Sequence, residues 1–323
     1  MKIIKAGMTL VLSVLTSTML ATAVQAAEGP GTKTADSYRF GGVPKVVHPW
    51  FDKVNEGAQQ AAAAIKAQTG TEVKIQYSAP QSASVSEQNQ IIERAIATRP
   101  DGLIIDLLDP NGNRSVLRDA SSQGIPVTLF DSSNPEGMNL TTVGSDFCEQ
   151  ARMAANRLVE LLDGEGQVAI MMGVPTAPNH AERARCARDV FESTKGIEVV
   201  ATGVDNDDIN TAQQQASAIM QANPGIDGWV ASDAAGPVGI GQAIKEAGKT
   251  GKVKLVGLDD LNQMLALIRE GVADSSSASR PTMQGYWAVI NMWQHATGAV
   301  TPDHIDTGNV MITPDNIDSY NKQ

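Results

Sequence analysis

Two hydrophobic patterns alternate along the chain. Brief apolar or β-branched runs are followed by longer stretches whose apolar positions recur at helical spacing. Residues 38–47 read as a strand and residues 51–68 as a helix with closely spaced alanines. Strands at 72–77, 102–108 and 126–131 then alternate with helices at 85–98 and 111–123. A second cycle opens with a strand at 141–145 and a helix at 147–162. Strands follow at 167–172, 198–203, 228–232, 254–258 and 272–277, with helices at 181–193, 211–222, 238–247 and 261–270 between them. A helix at 283–297 and a strand at 309–313 close the chain. The run at 167–172 is continuously apolar, as a strand buried on both faces of a parallel sheet should be.

About ten βα repeats argue for parallel sheets with helices on both faces. A single (β/α)8 barrel shares that alternation, but residues 132–140 disfavour it. There Asp131-Ser132-Ser133-Asn134-Pro135 leads to Thr141 without a helix. A strand-to-strand passage of this kind suits a chain leaving one sheet for another, so the segment reads as the first of several interdomain crossings. The expected fold is α/β, with two doubly wound, Rossmann-like domains. Open α/β sheets bind ligands beyond the carboxyl ends of their strands. Those ends are polar here: Lys45 and His48, Asp106 and Asp109, Asp131 and Ser132, Ser232 and Asp233, Asp259 and Asp260.

The N-terminus changes the picture by setting a compartment. Lys2 and Lys5 precede an uncharged stretch, residues 6–24, and Val24-Gln25-Ala26 then precedes Ala27, which fits a cleavable export signal over residues 1–26. Gly7, Ser13, Thr16, Ser17 and Thr18 make the stretch too polar for a membrane anchor. No cysteine stands at the cleavage point to take a lipid. Without the two leader lysines the formal net charge of −11 becomes −13. Nucleic acid and anionic membrane surfaces are therefore poor partners. Export permits a disulfide. Cys148 and Cys186 allow one internal pairing, each near the start of a predicted helix in one domain, and two buried free thiols are the other reading.

Catalytic signatures are missing. There is no GxxxxGK[ST] loop, HExxH, GxSxG elbow or GxGxxG fingerprint after the first strand. The 4 histidines and 2 cysteines lack metal-ligand or CxxC spacing, so neither a metal nor a cofactor is expected. Trp50-Phe51 directly follows the first strand in a chain only 4% aromatic. The pair can act as a helix-end staple on the core or as a stacking platform. A sugar ring has apolar C–H faces and a rim of hydroxyls. Flat aromatics cover its faces, while carboxylates and Arg donors make short, directional bonds to its rim.

Several segments carry a family resemblance. His48-Pro49-Trp50-Phe51 with Glu56-Gly57-Ala58 resembles the NPFF…xxGA opening of periplasmic ribose-binding-type proteins. Ile125-Pro126-Val127 leading to Asp131 resembles their IPVxxxD stretch, and Val143-Gly144-Ser145-Asp146 their crossing into the second domain. Glu182-Arg183 resembles ERxxGF, Ala231-Ser232-Asp233 resembles AxND, and Val256-Gly257-Leu258-Asp259 resembles VGFD. These six motifs, in family order across nearly the whole mature chain, identify a type I solute-binding protein of the sugar class serving an ABC transporter.

The resemblance implies a periplasmic, non-enzymatic, monomeric receptor with a hinge of several strands. Its N-terminal domain would comprise residues 37–144 plus 280–308, and its C-terminal domain residues 145–279 plus 309–323. The hinge would close on a ligand and present the closed form to a membrane permease. Carried over by position, ligand contacts would come from Trp50 and Phe51, Asp131, Arg183, Ser232 or Asp233, and Asp259. Ser279 falls at the last hinge crossing. Lys45, His48 and Ser132 join them as strand-end residues, and Arg185 competes with Arg183. Three departures argue against ribose: Ser132 replaces an Arg, acids and an amide at residues 206–208 replace a second aromatic wall, and Cys186-Ala187 replaces Gly-Phe. The acid-rich site suits a neutral, hydroxyl-rich pentose, hexose, deoxy sugar or polyol and disfavours a strong anion. A chemoreceptor ligand-binding protein is the alternative role. An exported glycosidase would need Asp259 and Asp260 to flank a bond, and adjacent residues on a strand end point apart.

Overall fold

A computed structural model describes residues 35–320. The export signal expected at residues 1–26 lies outside the described residues.

The first half of the chain runs through β1 (Ser37–Val43), α1 (Pro49–Thr69), β2 (Glu72–Tyr77), α2 (Val85–Ala97), β3 (Gly102–Ile105), α3 (Pro110–Ser122), β4 (Val127–Phe130) and β5 (Thr141–Gly144). It continues through α4 (Phe147–Leu161), β6 (Glu165–Met172), α5 (Pro178–Ser193), β7 (Gly196–Val204), α6 (Ile209–Ala222), β8 (Gly228–Ala231), α7 (Ala235–Glu246), β9 (Lys254–Leu258), α8 (Asn262–Arg269) and β10 (Ser275–Ala278). The last elements are α9 (Pro281–Ala296), β11 (His304–Asp306), β12 (Val310–Ile312) and α10 (Ile317–Tyr320).

The strands form two six-stranded sheets, ordered β2-β1-β3-β4-β5-β11 and β7-β6-β8-β9-β10-β12. All pairings are parallel except β10 with β12. The two sheets therefore repeat one doubly wound order, each taking its sixth strand from the end of the chain. β3, β4 and β8 are buried along their whole length, which explains their near-continuous apolar sequences Gly-Leu-Ile-Ile, Val-Thr-Leu-Phe and Gly-Trp-Val-Ala. Sequence also sets the helix starts. His48, Ser84, Asp109, Asp146 and Asp208 each cap a helix by accepting a backbone N–H, and Pro follows at the first position of α1 and α3.

One sequence expectation is corrected. The helix-free passage at 132–140 is not an interdomain crossing, because β4 and β5 are neighbours in the same sheet, with Phe130 paired to Val143. The chain passes between sheets after β5, after β10 and between β11 and β12. Ser279 thus lies at the second of these three passages, not the last. After the second passage α9 returns to pack on α1 at very short range. A Cβ on Gly57 would lie 1.9 Å from the Thr282 carbonyl oxygen, and one on Gly285 would lie 1.8 Å from that of Val54.

Candidate functional site

The carboxyl ends of the two sheets face each other, and polar side chains from both close around a cavity. Its lining is Lys45, His48, Trp50, Phe51, Asp131, His180, Arg183, Asp207, Asp233, Ala234 and Asp259. Its empty space is about 250 Å³ counting the part open to solvent, of which only about 20 Å³ is enclosed volume, far below the ~300–1,000 Å³ of drug-sized ligand sites.

The first sheet contributes the aromatic and basic side. Trp50 and Phe51 open α1 and meet edge to face, with centroids 5.1 Å apart and planes at 87°. Phe51 also packs edge-on against Phe130, so the pair serves both the core and the cavity. His48 caps α1 through Nδ1, which accepts from the Trp50 N–H at 3.2 Å; the ring proton is therefore on Nε2. Lys45 follows β1, is 1% exposed and holds Asp106 Oδ2 at 2.6 Å and Asp131 Oδ2 at 3.8 Å. Burial pushes the Asp106 carboxyl well above its ordinary range, against the pull of Lys45.

Two aspartates occupy equivalent places. Asp131 ends β4 and Asp259 ends β9, each being the fourth strand of its own doubly wound unit. Both are left-handed, with φ of 42° and 60°, which turns each side chain away from the strand direction. Asp131 accepts from Arg183 Nη2 at 3.3 Å and from Asn179 Nδ2, both on α5, so its bonds bridge the two sheets. Asp259 Oδ1 accepts from the Ser279 N–H at 3.1 Å, the Ser279 hydroxyl at 2.8 Å and Gln150 Nε2 at 3.2 Å. Burial raises its carboxyl, while the Arg183 guanidinium opposes the rise.

Arg183 is 1% exposed, donates through Nε to Gln150 Oε1 at 2.7 Å and lies 5.0 Å over the Phe147 ring. Arg185 faces out, paired with Glu182 and Asp189. Helical geometry separates them, since neighbours two apart do not share a face.

Asp233 uses Oδ2 to accept from the Ala235 and Gly236 N–H groups at 3.0 and 2.9 Å, fixing the start of α7. Ser232 is turned the other way. Its hydroxyl accepts from the Gly173 N–H at 3.3 Å and does not line the cavity. Ser132 likewise accepts from the Leu107 N–H at 3.2 Å, behind the site. Ser279 holds Asp259 without reaching the cavity lining. Of the expected contacts, these three serines are therefore supports, because each spends its hydroxyl on a neighbouring strand end.

Three lining residues, His180, Asp207 and Ala234, lie outside the contacts that the sequence predicts. A histidine opening α5 beside Asn179 is the sequence signal for His180. Its Nδ1 accepts from the Val174 N–H at 2.9 Å. Burial drops its ring to about 3, so it is neutral near pH 7. Asp207 stood in the acidic replacement of the missing aromatic wall. Four buried polar atoms of the lining receive or donate no hydrogen bond to a fixed partner among the described residues: Lys45 Nζ, which is ion-paired instead, His48 Nε2, Trp50 Nε1 and Asp233 Oδ1.

Asp260 points elsewhere, bonded to Lys53 Nζ at 3.0 Å and to the Tyr320 hydroxyl at 3.0 Å. The adjacent carboxylates Asp259 and Asp260 do not share the cavity, so this pair does not flank a common bond. Cys148 and Cys186 are bonded, tying α4 to the middle of α5, with Cα atoms 5.3 Å apart. The cluster of these sulfurs with Glu182 is consequently no thiolate metal site. No described helix is long and apolar enough to cross a membrane.

Residues 43–299 match the family described as Periplasmic binding protein domain, and the chain belongs to that family, in the type I class of sugar-binding proteins of ABC transporters. It is 25% identical over 290 residues to the xylose/arabinose-binding protein XylF of Sulfolobus acidocaldarius, covering 84% of this chain and 70% of that protein. It is 25% identical to the D-ribose/D-allose-binding protein of Pseudomonas aeruginosa, covering 71% of this chain and 73% of that one. Among solved structures it resembles an ABC transporter solute-binding protein from Burkholderia graminis in complex with D-arabinose, with a TM-score of 0.83 and 29% identity over 89% of this chain and 99% of that chain.

Proposed function

We propose that the protein is the periplasmic solute-binding component of an ABC transporter, capturing a sugar or polyol by hinge closure and delivering it to a membrane permease. The observation that carries this reading is the cavity itself. Aromatic faces from Trp50 and Phe51, acceptors from Asp131, Asp233 and Asp259, and donors from Arg183, His48 and Trp50 converge on one small cavity. That set matches a ring with apolar faces and a hydroxyl rim, and relatives named for xylose, arabinose, ribose and allose accord with it.

The moving bodies are residues 37–144 with 280–308 and residues 145–279 with 309–323, hinged at the three passages between the sheets. Lys45, His48, Trp50, Phe51 and Asp131 form one half-site; Arg183, His180, Asp207, Asp233 and Asp259 form the other. A ligand that bridges the halves has differential affinity for the closed form and so shifts the population toward it. The mature chain, freed of residues 1–26, acts as a monomer and performs no chemistry on its cargo.

A thermal-shift screen of the mature protein against monosaccharides and polyols tests this. A ligand that binds the native state raises the melting temperature as its concentration exceeds Kd. Stabilisation by an amino acid, peptide or nucleoside with none by any sugar or polyol would sink the assignment.

A further inference from the structure

The cavity is unevenly charged. On one side each cation has its acid, Lys45 with Asp106 and Arg183 with Asp131. On the other side Asp205, Asp207 and Asp233 converge, and among the described residues none of the three is ion-paired with a Lys or Arg. Asp233 is 1% exposed and Asp205 is fully buried; among the described residues no N–H or hydroxyl donor reaches Asp233 Oδ1 or Asp205 Oδ2, and the two carboxyls lie within hydrogen-bonding reach of each other. The two oxygens flank Gly236, where a Cβ would lie 2.8 Å from the first and 3.0 Å from the second. Asp207 is brought to them by a turn of two left-handed residues, Asn206 and Asp207, at φ of 56° and 62°, and its N–H donates to Asp205 Oδ1 at 2.9 Å. Independently, His48 Nε2 and Trp50 Nε1, on side chains more than nine-tenths buried, also lack partners and line the same cavity.

The facing carboxyls of Asp205 and Asp233 can share one proton, which leaves one negative charge on that pair and one on Asp207, neither ion-paired to a Lys or Arg, for the occupant to match. A hydroxyl offers one O–H and no charge. An ammonium offers three N–H donors together with its charge. We infer that the ligand is an amine-bearing sugar or polyol whose ammonium is held by Asp207 and Asp233, while its hydroxyls face His48, Trp50 and Arg183. Lys45 leaves room for this charge because Asp106 already engages it. The inference rests on the sugar-or-polyol reading above and narrows it, replacing the neutral ligand expected from sequence.

Calorimetric titration of the mature protein near neutral pH tests it with pairs that differ by one amine. D-glucosamine is set against D-glucose, D-galactosamine against D-galactose, and an aminocyclitol against myo-inositol, with N-acetyl derivatives as uncharged controls. At least one amine should bind about tenfold tighter than its parent or more, and N-acetylation should abolish the gain. Asp233→Asn, which keeps an oxygen to cap α7, should bring that ratio toward one with less effect on the parent. Asp207→Asn, at a half-buried turn, repeats the test where folding is least at risk. Parents binding as tightly as amines in every pair would overturn the inference and leave the sugar reading intact. Failure of every parent and every amine would overturn both.

Discussion

The environment of single carboxyls makes the site sensitive to pH. Asp205 follows β7, and burial raises its carboxyl from 3.8 to about 8, opposed by the Asp207 N–H and reinforced by Asp207 and Asp208. Burial raises Asp233 as well, and Asp205 beside it adds to the rise. Burial would also lift Asp207, but His48, His180 and Lys45 hold it below its ordinary value. A carboxyl raised on folding binds more protons folded than unfolded, so its contribution to stability is lost as pH rises from about 4 to 8. The ligand-free protein should therefore melt higher near pH 5 than near pH 8, and Asp205→Asn should flatten that difference. Melting curves of both proteins across this range check it; equal slopes would refute it. Trp50 yields a second prediction at the same scale. Trp50→Phe keeps the aromatic face and removes the unpartnered Nε1 donor, and should weaken binding by about 0.5–1.5 kcal/mol, read as a roughly two- to tenfold rise in Kd by titration.

At the scale of elements, the approach of α9 to α1 links the second passage between the sheets to the helix that carries Trp50 and Phe51. Gly57 and Gly285 make that approach possible, since a methyl at either would overlap backbone of the other helix. Gly57→Ala should cost about 1–3 kcal/mol, seen as a lower denaturation midpoint at unchanged slope. The disulfide between α4 and α5 closes a loop of 38 residues, and its removal by Cys148→Ala with Cys186→Ala should cost about 2–4 kcal/mol by the same measurement. Most elements were legible in sequence because buried parallel strands and capped helices leave strong local patterns. The strand-end residues Lys45, Asp131, Asp233 and Asp259 were legible for the same reason: topology fixes where such ends go. The serines misled because sequence places a residue at a strand end without saying toward which neighbour it turns. His180 and Asp207 were missed because one lies on a helix start and the other on a left-handed turn, neither of which periodicity marks. The passage at 132–140 was misread because a short extended crossover looks the same whether the next strand joins its own sheet or another.

For the whole molecule, the contacts that join the two halves differ in kind. Arg183 with Asp131 lies within the site, so its removal confounds closure with ligand contact. Lys53 on α1 is different. It lies outside the cavity lining, with its side chain 21% exposed, and reaches the Asp260 carboxylate and carbonyl from across the cleft. Such a pair exists only while the halves are together, so it favours the closed form without touching cargo. A partly exposed ion pair contributes about 0.2–1 kcal/mol. Lys53→Ala should therefore raise Kd only modestly, up to about fivefold. The loss should appear as faster ligand release with an unchanged association rate, because opening limits escape and the open form's half-sites are intact. Stopped-flow binding separates the two rates, and small-angle scattering at saturating ligand should still report the compact form. A slower association with unchanged release would mean that Lys53 acts on the open protein and that the rim pair is no latch.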